Sequence, residues 1–326
     1  NNFTFIPSHS NTNRVRKTLI FRGFIGGIIL LNLALTGCST QKKVGRFLDK
    51  QLETYGQESE FTGLLMVDAQ SGDTLISRNR SRYFTPASTT KVFTLYAALQ
   101  ELPRSIPALK YQVRGDTLHV LGTGDPSAMH PVLNSHTARD FIRQYPNVVL
   151  YESMVDETPW GPGWAWDDFD QGYQAERSSL PIYGNVLRLV RKGDRLELTP
   201  ESFRDSLVFE NNNYRRRPER NQFFVSSSLR DTTILPLTLS PVITKALWEE
   251  ATGLQLNLGK TLPGDPWQIL AGIPSDSIYR EMMAFSDNFL AEQLMLLVSS
   301  TLSDSLSFKR ARDYLLETHL SEMRSP

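Results

Sequence analysis

Residues 91–102, Lys-Val-Phe-Thr-Leu-Tyr-Ala-Ala-Leu-Gln-Glu-Leu, constrain this chain more than any other stretch. Val92, Phe93, Leu95, Tyr96, Ala97, Ala98, Leu99 and Leu102 leave few polar positions around the helix they predict, and Pro103 stops it. A helix apolar on most of its circumference belongs inside a domain, so the rest of the chain has to wrap round it. Pro86 and Ala87 set Ser88 at or near the helix start, where unpaired backbone N–H groups and the positive dipole end gather. Lys91 follows three residues later on the same face. A lysine on a buried helix must lose its proton or find a partner, and a neutral amine beside a hydroxyl is a general base. Two readings stand open here. Either Ser88 attacks an acyl group while Lys91 takes its proton, or Ser88 caps the helix and Lys91 lies at the surface.

Spacing alone does not choose between them. With roughly 30 serines and about ten lysines, one Ser-x-x-Lys is expected by chance, and the chain holds a second, Ser39-Thr40-Gln41-Lys42. Composition narrows the field. Hydrophobic content of 40% and charged content of 21% in 326 residues describe a globular chain of one large domain or two ordinary ones. Zero formal net charge gives no electrostatic footprint for nucleic acid. A single cysteine excludes an intrachain disulfide framework and a cysteine-based zinc site. His9, His119, His130, His136 and His319 are scattered without ligand spacing, so no metal or other cofactor is expected.

The position of that cysteine matters more than its number. Arg14, Arg16, Lys17 and Arg22 precede an uncharged, mostly apolar run from Gly23 to Leu35, followed by Leu35-Thr36-Gly37-Cys38. A basic flank, a short apolar stretch and small residues before a cut mark an export signal. The run is too short to span a bilayer comfortably. Its Leu-Thr-Gly-Cys ending resembles a bacterial lipobox, which implies acylation of Cys38 and a lipid anchor on the periplasmic side of the inner or outer membrane. The alternative is a free cysteine after a core helix. With Cys38 acylated, Ser39 would follow the lipidated residue in a tether, where no pocket activates it.

Further along, Val44, Phe47, Leu48 and Leu52 predict a first helix, and Phe61–Asp68 with Thr74–Ser77 predict a hairpin turning at Gln70-Ser71-Gly72-Asp73. Short strands are expected at Thr117–Leu121, Val148–Tyr151, Val186–Val190 and Arg195–Leu198. Gly122-Thr123-Gly124-Asp125-Pro126-Ser127 lacks the ending of a phosphate loop and reads as a turn. Trp160, Trp164 and Trp166 form either a packed corner or the wall of a cleft. Arg215-Arg216-Arg217 reads as a solvated basic run. After Pro274, two apolar helices flank Ser286-Asp287-Asn288, and an amphipathic helix spans about Phe308–Leu320.

Ser-x-x-Lys together with Ser-Asp-Asn forms two of the three motifs of serine β-lactamases and penicillin-binding proteins. Ser286 lies 198 residues after Ser88, a separation that needs an inserted domain. The chain resembles the class C low-molecular-mass penicillin-binding proteins, the D-Ala-D-Ala carboxypeptidase/endopeptidase family. The likeness rests on Thr85-Pro86-Ala87-Ser88-Thr89, Gly124-Asp125-Pro126-Ser127, Pro162–Asp168 and Ser286-Asp287-Asn288-Phe289-Leu290-Ala291-Glu292-Gln293-Leu294. It implies an α/β (α+β) transpeptidase-like fold with a strand-rich insertion. The parts would be a leader and signal peptide at 1–37, a tether and first helix at 38–55, a catalytic domain at 56–109 and 271–326, and the insert at 110–270. It also implies roles. Ser88 would be acylated by a peptidoglycan stem peptide or by a β-lactam, and Lys91 would be its base. Ser286 would pass a proton to the leaving amine, and Asn288 would bind the substrate amide. Asp168 and Tyr173 would read the stem-peptide side chain.

One departure stands out. No Lys-Thr-Gly follows Asn288; the Lys-Thr at Lys260-Thr261 precedes it and continues Leu262-Pro263. The resemblance implies that this motif binds the terminal carboxylate and supplies an oxyanion donor worth roughly 3 kcal/mol. The chain is therefore expected to be truncated before that motif, with its last core strands missing. Two other functions remain in play, a serine β-lactamase and a non-catalytic cell-wall-binding lipoprotein.

Overall fold

The structure is a computed structural model and describes residues 44–48, 50–51, 61–153, 155, 158–161, 163–193, 195–210, 215–226, 229, 231–303 and 305–323. The expected signal, Cys38 and Ser39 lie outside those residues. The chain divides into two compact units, Asn1–Pro86 and Ala87–Pro326.

In the first unit residues 44–48 are helical. Strands β1 (Leu64–Val67) and β2 (Thr74–Arg78) pair antiparallel as the expected hairpin. Asp68 makes the turn by accepting from the Gln70 and Ser71 backbone amides, and Gly72 supplies a φ of 76° that a β-carbon would resist.

The second unit holds two hydrophobic cores. One is strand-rich. Its main sheet runs in the order β12-β5-β4-β3-β13: β3 is Ser105–Arg114, β4 Thr117–Leu121, β5 Asn147–Tyr151, β12 Asn257–Leu258 and β13 Gln268–Pro274. β4 and β5 are parallel, joined through helix α2 (Thr137–Ile142), and β13 returns antiparallel to β3. Two smaller sheets follow the orders β11-β6-β7 and β8-β10-β9. Their strands are β6 (Val186–Lys192), β7 (Arg195–Thr199), β8 (Leu207–Val208), β9 (Arg216–Arg217), β10 (Arg220–Phe224) and β11 (Thr233–Pro236). All four strands expected between residues 117 and 198 form. Their alternation does the work: Leu118 and Val120 of β4 are fully buried, while His119 between them is only partly so. Helix α3 (Pro241–Thr252) closes this core with Leu247 and Trp248, whose indole donates to the Leu180 carbonyl at 3.1 Å.

The other core is helical and carries the Ser-x-x-Lys and Ser-Asp-Asn motifs. It is built from α1 (Lys91–Glu101), α4 (Ser275–Phe285), α5 (Asn288–Leu302) and α6 (Phe308–Thr318), through Ala97, Ala98, Met282, Leu290, Leu294 and Leu315 among others. Two expectations are corrected here. The helix surrounded by protein is α5, buried from Phe289 to Ser300 at all but Glu292. By contrast α1 packs on α5 from one side and leaves Val92, Phe93 and Leu99 exposed. The second correction concerns the basic run, because Arg216 is 0% exposed. Its guanidinium donates to the carbonyls of Phe169, Arg217 and Pro218 and to Thr238 Oγ1, and lies 5.2 Å from the centre of the Phe169 ring. A ready-made set of acceptors replaces water around the charge.

Candidate active site

Ser88 opens a short 3-10 turn, Ser88–Thr90, that runs into α1. The N-cap position is Ala87 and no side chain caps this start, so the capping role open to Ser88 from the sequence is not the one it plays. Its side chain is exposed, while Lys91 one turn on is buried. The 3-10 entry and helical spacing put both side chains on one face.

Ser286, Asp287 and Asn288 come from the joint between α4 and α5. Ser286 ends α4 in the left-handed conformation, φ 55°, which for a residue with a β-carbon costs on the order of 1 kcal/mol. Asp287 then caps α5 by accepting from the Leu290 amide at 2.9 Å. These two local devices reverse the chain and turn Ser286 and Asn288 towards α1.

Lys91 gathers the four residues. Its Nζ lies 3.1 Å from Ser88 Oγ, 3.4 Å from Ser286 Oγ and 2.5 Å from Asn288 Oδ1. Three acceptors match the three donors of an ammonium, and a neutral amine in that place is within reach of the Ser88 proton. Burial pushes the Lys91 pKa below its ordinary value, and the nearby charges of Asp287 and Glu292 partly hold it up.

Two cavities flank this centre. One, of about 290 Å³, is lined by Lys91, Thr94, Trp164, Asn288, Glu292 and Phe308. The other, of about 270 Å³, is lined by His130, Tyr173, Phe285, Ser286, Asp287 and Phe289. Tyr173 bridges them, because its carbonyl accepts from Asn288 Nδ2 at 3.4 Å and its ring stacks with Trp164 at 6.4 Å. Desolvation, followed by the Asp168 carboxylate beside the phenol, raises the Tyr173 pKa. Asp168 sits on the turn Trp166–Asp168 and reaches the site through that phenol. Two of the tryptophans take the two roles open to them, and the third takes neither. Trp164 walls the first cavity, Trp160 donates to the Gln174 carbonyl at 3.0 Å, and Trp166 is 74% exposed.

Sequence reasoning missed three neighbours of the site. His130 was passed over for want of ligand spacing. It is buried, accepts at Nδ1 from the Val132 and Leu133 amides, and burial holds its pKa below the ordinary value. Gln293 is fully buried, donates to the carbonyls of Gly124 and Ser178, and accepts from the Ser178 amide. It thereby clamps Gly124–Ser127 onto α5 as a buried turn. Within that turn burial pushes Asp125 up to about 7, although Ser127 donates to it from backbone and hydroxyl. Glu292, one helical turn after Asn288, pairs with Arg177 at 3.1 Å. The spacing of four from Asn288 was the available signal, since it places both side chains on one face of α5.

A helix-borne Ser-x-x-Lys facing Ser-x-Asn is the constellation of serine acyl-enzyme hydrolases. Two solved structures share the fold. One is penicillin binding protein 4 (dacB) from Haemophilus influenzae, with TM-score 0.57 and 18% identity over 84% of this chain and 70% of that one. The other is the same protein complexed with a novel β-lactam, with TM-score 0.50 and 17% identity over 82% and 68%. No curated protein sequence matches the chain. Residues 45–226, more than half of the chain, match the D-Ala-D-Ala carboxypeptidase 3 (S13) family, and the chain belongs to that family. It is thus a serine-type D-Ala-D-Ala carboxypeptidase with the α/β fold, carrying a strand-rich insertion between its two motifs.

Proposed function

We propose that Ser88 carries the acyl-enzyme and that Lys91 is its base, on the strength of one observation above the others: Lys91 Nζ stands within hydrogen-bond reach of Ser88 Oγ, Ser286 Oγ and Asn288 Oδ1 together. Neutral Lys91 takes the Ser88 proton as Oγ bonds to the carbonyl carbon of the penultimate D-Ala. The Ser88 backbone N–H, at a helix start, is one donor to the oxyanion that forms. As the intermediate collapses, the peptide C–N bond breaks and Ser286 hands the leaving nitrogen a proton drawn from Lys91. Terminal D-Ala departs, and a water then cleaves the Ser88 ester, with Lys91 taking the water's proton and returning it to the departing Ser88 Oγ. Asn288 holds the substrate amide, and Asp168 with Tyr173 reads the stem-peptide side chain. A β-lactam enters by the same attack.

The proton step is open to direct test. Because the neutral amine is the active form, and burial lowers the Lys91 pKa, acylation should rise with pH through a transition below the ordinary lysine range. Stopped-flow acylation by a chromogenic β-lactam measures it. A rate independent of pH across the neutral and alkaline range would remove Lys91 from the role of base.

The chain's setting belongs to the same proposal. The basic flank, the apolar run and Leu35-Thr36-Gly37-Cys38 support export, cleavage before Cys38 and a lipid anchor on the periplasmic side. Residues 56–109 and 271–326 would form the catalytic part and 110–270 the insert. Cys38→Ala is expected to move the protein from the membrane fraction to the soluble one, and an unchanged distribution on cell fractionation contradicts the anchor.

A further inference from the structure

Glu292 joins the inserted part of the chain to the helices beside Lys91. Its carboxylate is held from two sides. Arg177, whose side chain is 1% exposed, pairs with Oε2 at 3.1 Å, and Trp164 Nε1 donates to Oε1 at 3.3 Å. Arg177 is itself fixed by donating to the Thr158 carbonyl at 2.7 Å. Gly161 lies so close that a β-carbon there would stand 2.8 Å from Glu292 Oε1. Residues 158–161 and Trp164 therefore gather round this carboxylate and its partner Arg177, and Glu292 and Lys91 line the same cavity.

We infer that Glu292 is a positioning residue for the reaction: clamped by Arg177 and Trp164, its charge faces the cavity beside Lys91 and offsets the burial of that amine. The inference rests on Lys91 being the base. Burial alone would drive the amine towards a proton affinity too weak for it to deprotonate a hydroxyl, since a base works best when its pKa lies near the working pH. Two negative charges oppose that drift. Asp287 comes from the joint between α4 and α5, where it is committed to capping, and Glu292 comes from α5 itself. Among the described residues the other ionisable group lining this cavity is Arg312 of α6, which pairs with Asp313; Arg177 lies behind Glu292, the Tyr173 phenol beyond Asn288, and His130 shares the second cavity with Asp287.

Glu292→Gln separates this role from a structural one, because glutamine keeps an acceptor for Trp164 while losing the charge. The measurement is the titration of the Lys91 ε-carbon by NMR in lysine-labelled full gene product, assigned as the signal missing from Lys91→Met. In Glu292→Gln the Lys91 transition should move to lower pH, and the pH profile of β-lactam acylation should move with it. Arg177 left alone could unfold that variant. Arg177→Gln with Glu292→Gln removes both buried charges and should still move the transition down, Glu292 being the member that lines the cavity. An unmoved Lys91 transition in whichever variant folds overturns the inference. If the wild type is never acylated, the reading of Lys91 as base fails, but the NMR transition still decides whether Glu292 sets its charge.

Discussion

Replacing Ser88 with alanine is expected to slow D-Ala release from a stem pentapeptide by on the order of 10⁴- to 10⁶-fold, the loss seen when a serine nucleophile is deleted. The size follows from the chemistry assigned to this oxygen. Without it the reaction has no covalent intermediate, and binding with partial oxyanion stabilisation is what remains. Stability should barely change. Ser88 is exposed and makes no capping hydrogen bond, so the substitution belongs among surface changes worth within about 0.5 kcal/mol. The combination is diagnostic: a large loss of turnover in a protein with an unchanged urea midpoint identifies a nucleophile. A comparable loss of both would mean that Ser88 serves the fold. Turnover within tenfold of wild type would remove it from the chemistry.

The largest effect on stability is expected far from the site, at Arg216. Arg216→Met keeps the length and packing of the side chain but orphans four acceptors, namely the carbonyls of Phe169, Arg217 and Pro218 and the hydroxyl of Thr238. It also strips the buried carboxylate of Glu176 of a neighbouring positive charge. Each buried acceptor left without a donor costs about 1–3 kcal/mol, and relaxation recovers part of the sum. A loss of about 3–5 kcal/mol is expected, as for breaking other buried charged contacts. Urea unfolding followed by tryptophan fluorescence measures it. A shift below about 1 kcal/mol would mean that water or a rearranged loop readily replaces the guanidinium, against the closed setting described here.

Arg216 also shows what a sequence hides. Three consecutive arginines look solvated because composition is local, whereas the acceptors that bury the middle one come from Phe169 and Thr238, remote in the chain. The strands were legible because alternation is a local property with a fixed period, as in Leu118 and Val120 of β4. Both motifs were legible for the same reason. Ser88 sits before an apolar helical run and Ser286-Asp287-Asn288 sits between two such runs, so each declares its helix end without reference to the other. Their meeting at Lys91 was inferred from the family resemblance, and spacing alone could not supply it. The burial of α1 was overstated because apolar residues round a helix report what it could bury. What it does bury depends on which neighbours cover it, and α5 covers one side. Glu292 and Gln293 were in plain view one turn after Asn288. Their tasks stayed hidden because they hold loops, at residues 158–161 with Trp164 and at Gly124–Ser127, whose approach no periodicity predicts.

The central claim is that the oxygen Lys91 faces at 3.1 Å is the one that becomes acylated. Its most direct test is to treat the protein with a penicillin, digest it, and locate the adduct by tandem mass spectrometry. The account predicts one penicilloyl group per chain, on Ser88 within the peptide that reads Tyr-Phe-Thr-Pro-Ala-Ser-Thr-Thr-Lys, and none in Lys91→Met at neutral pH. An adduct on Ser39 or Ser286, or a folded wild-type protein that takes up no penicillin, would contradict it.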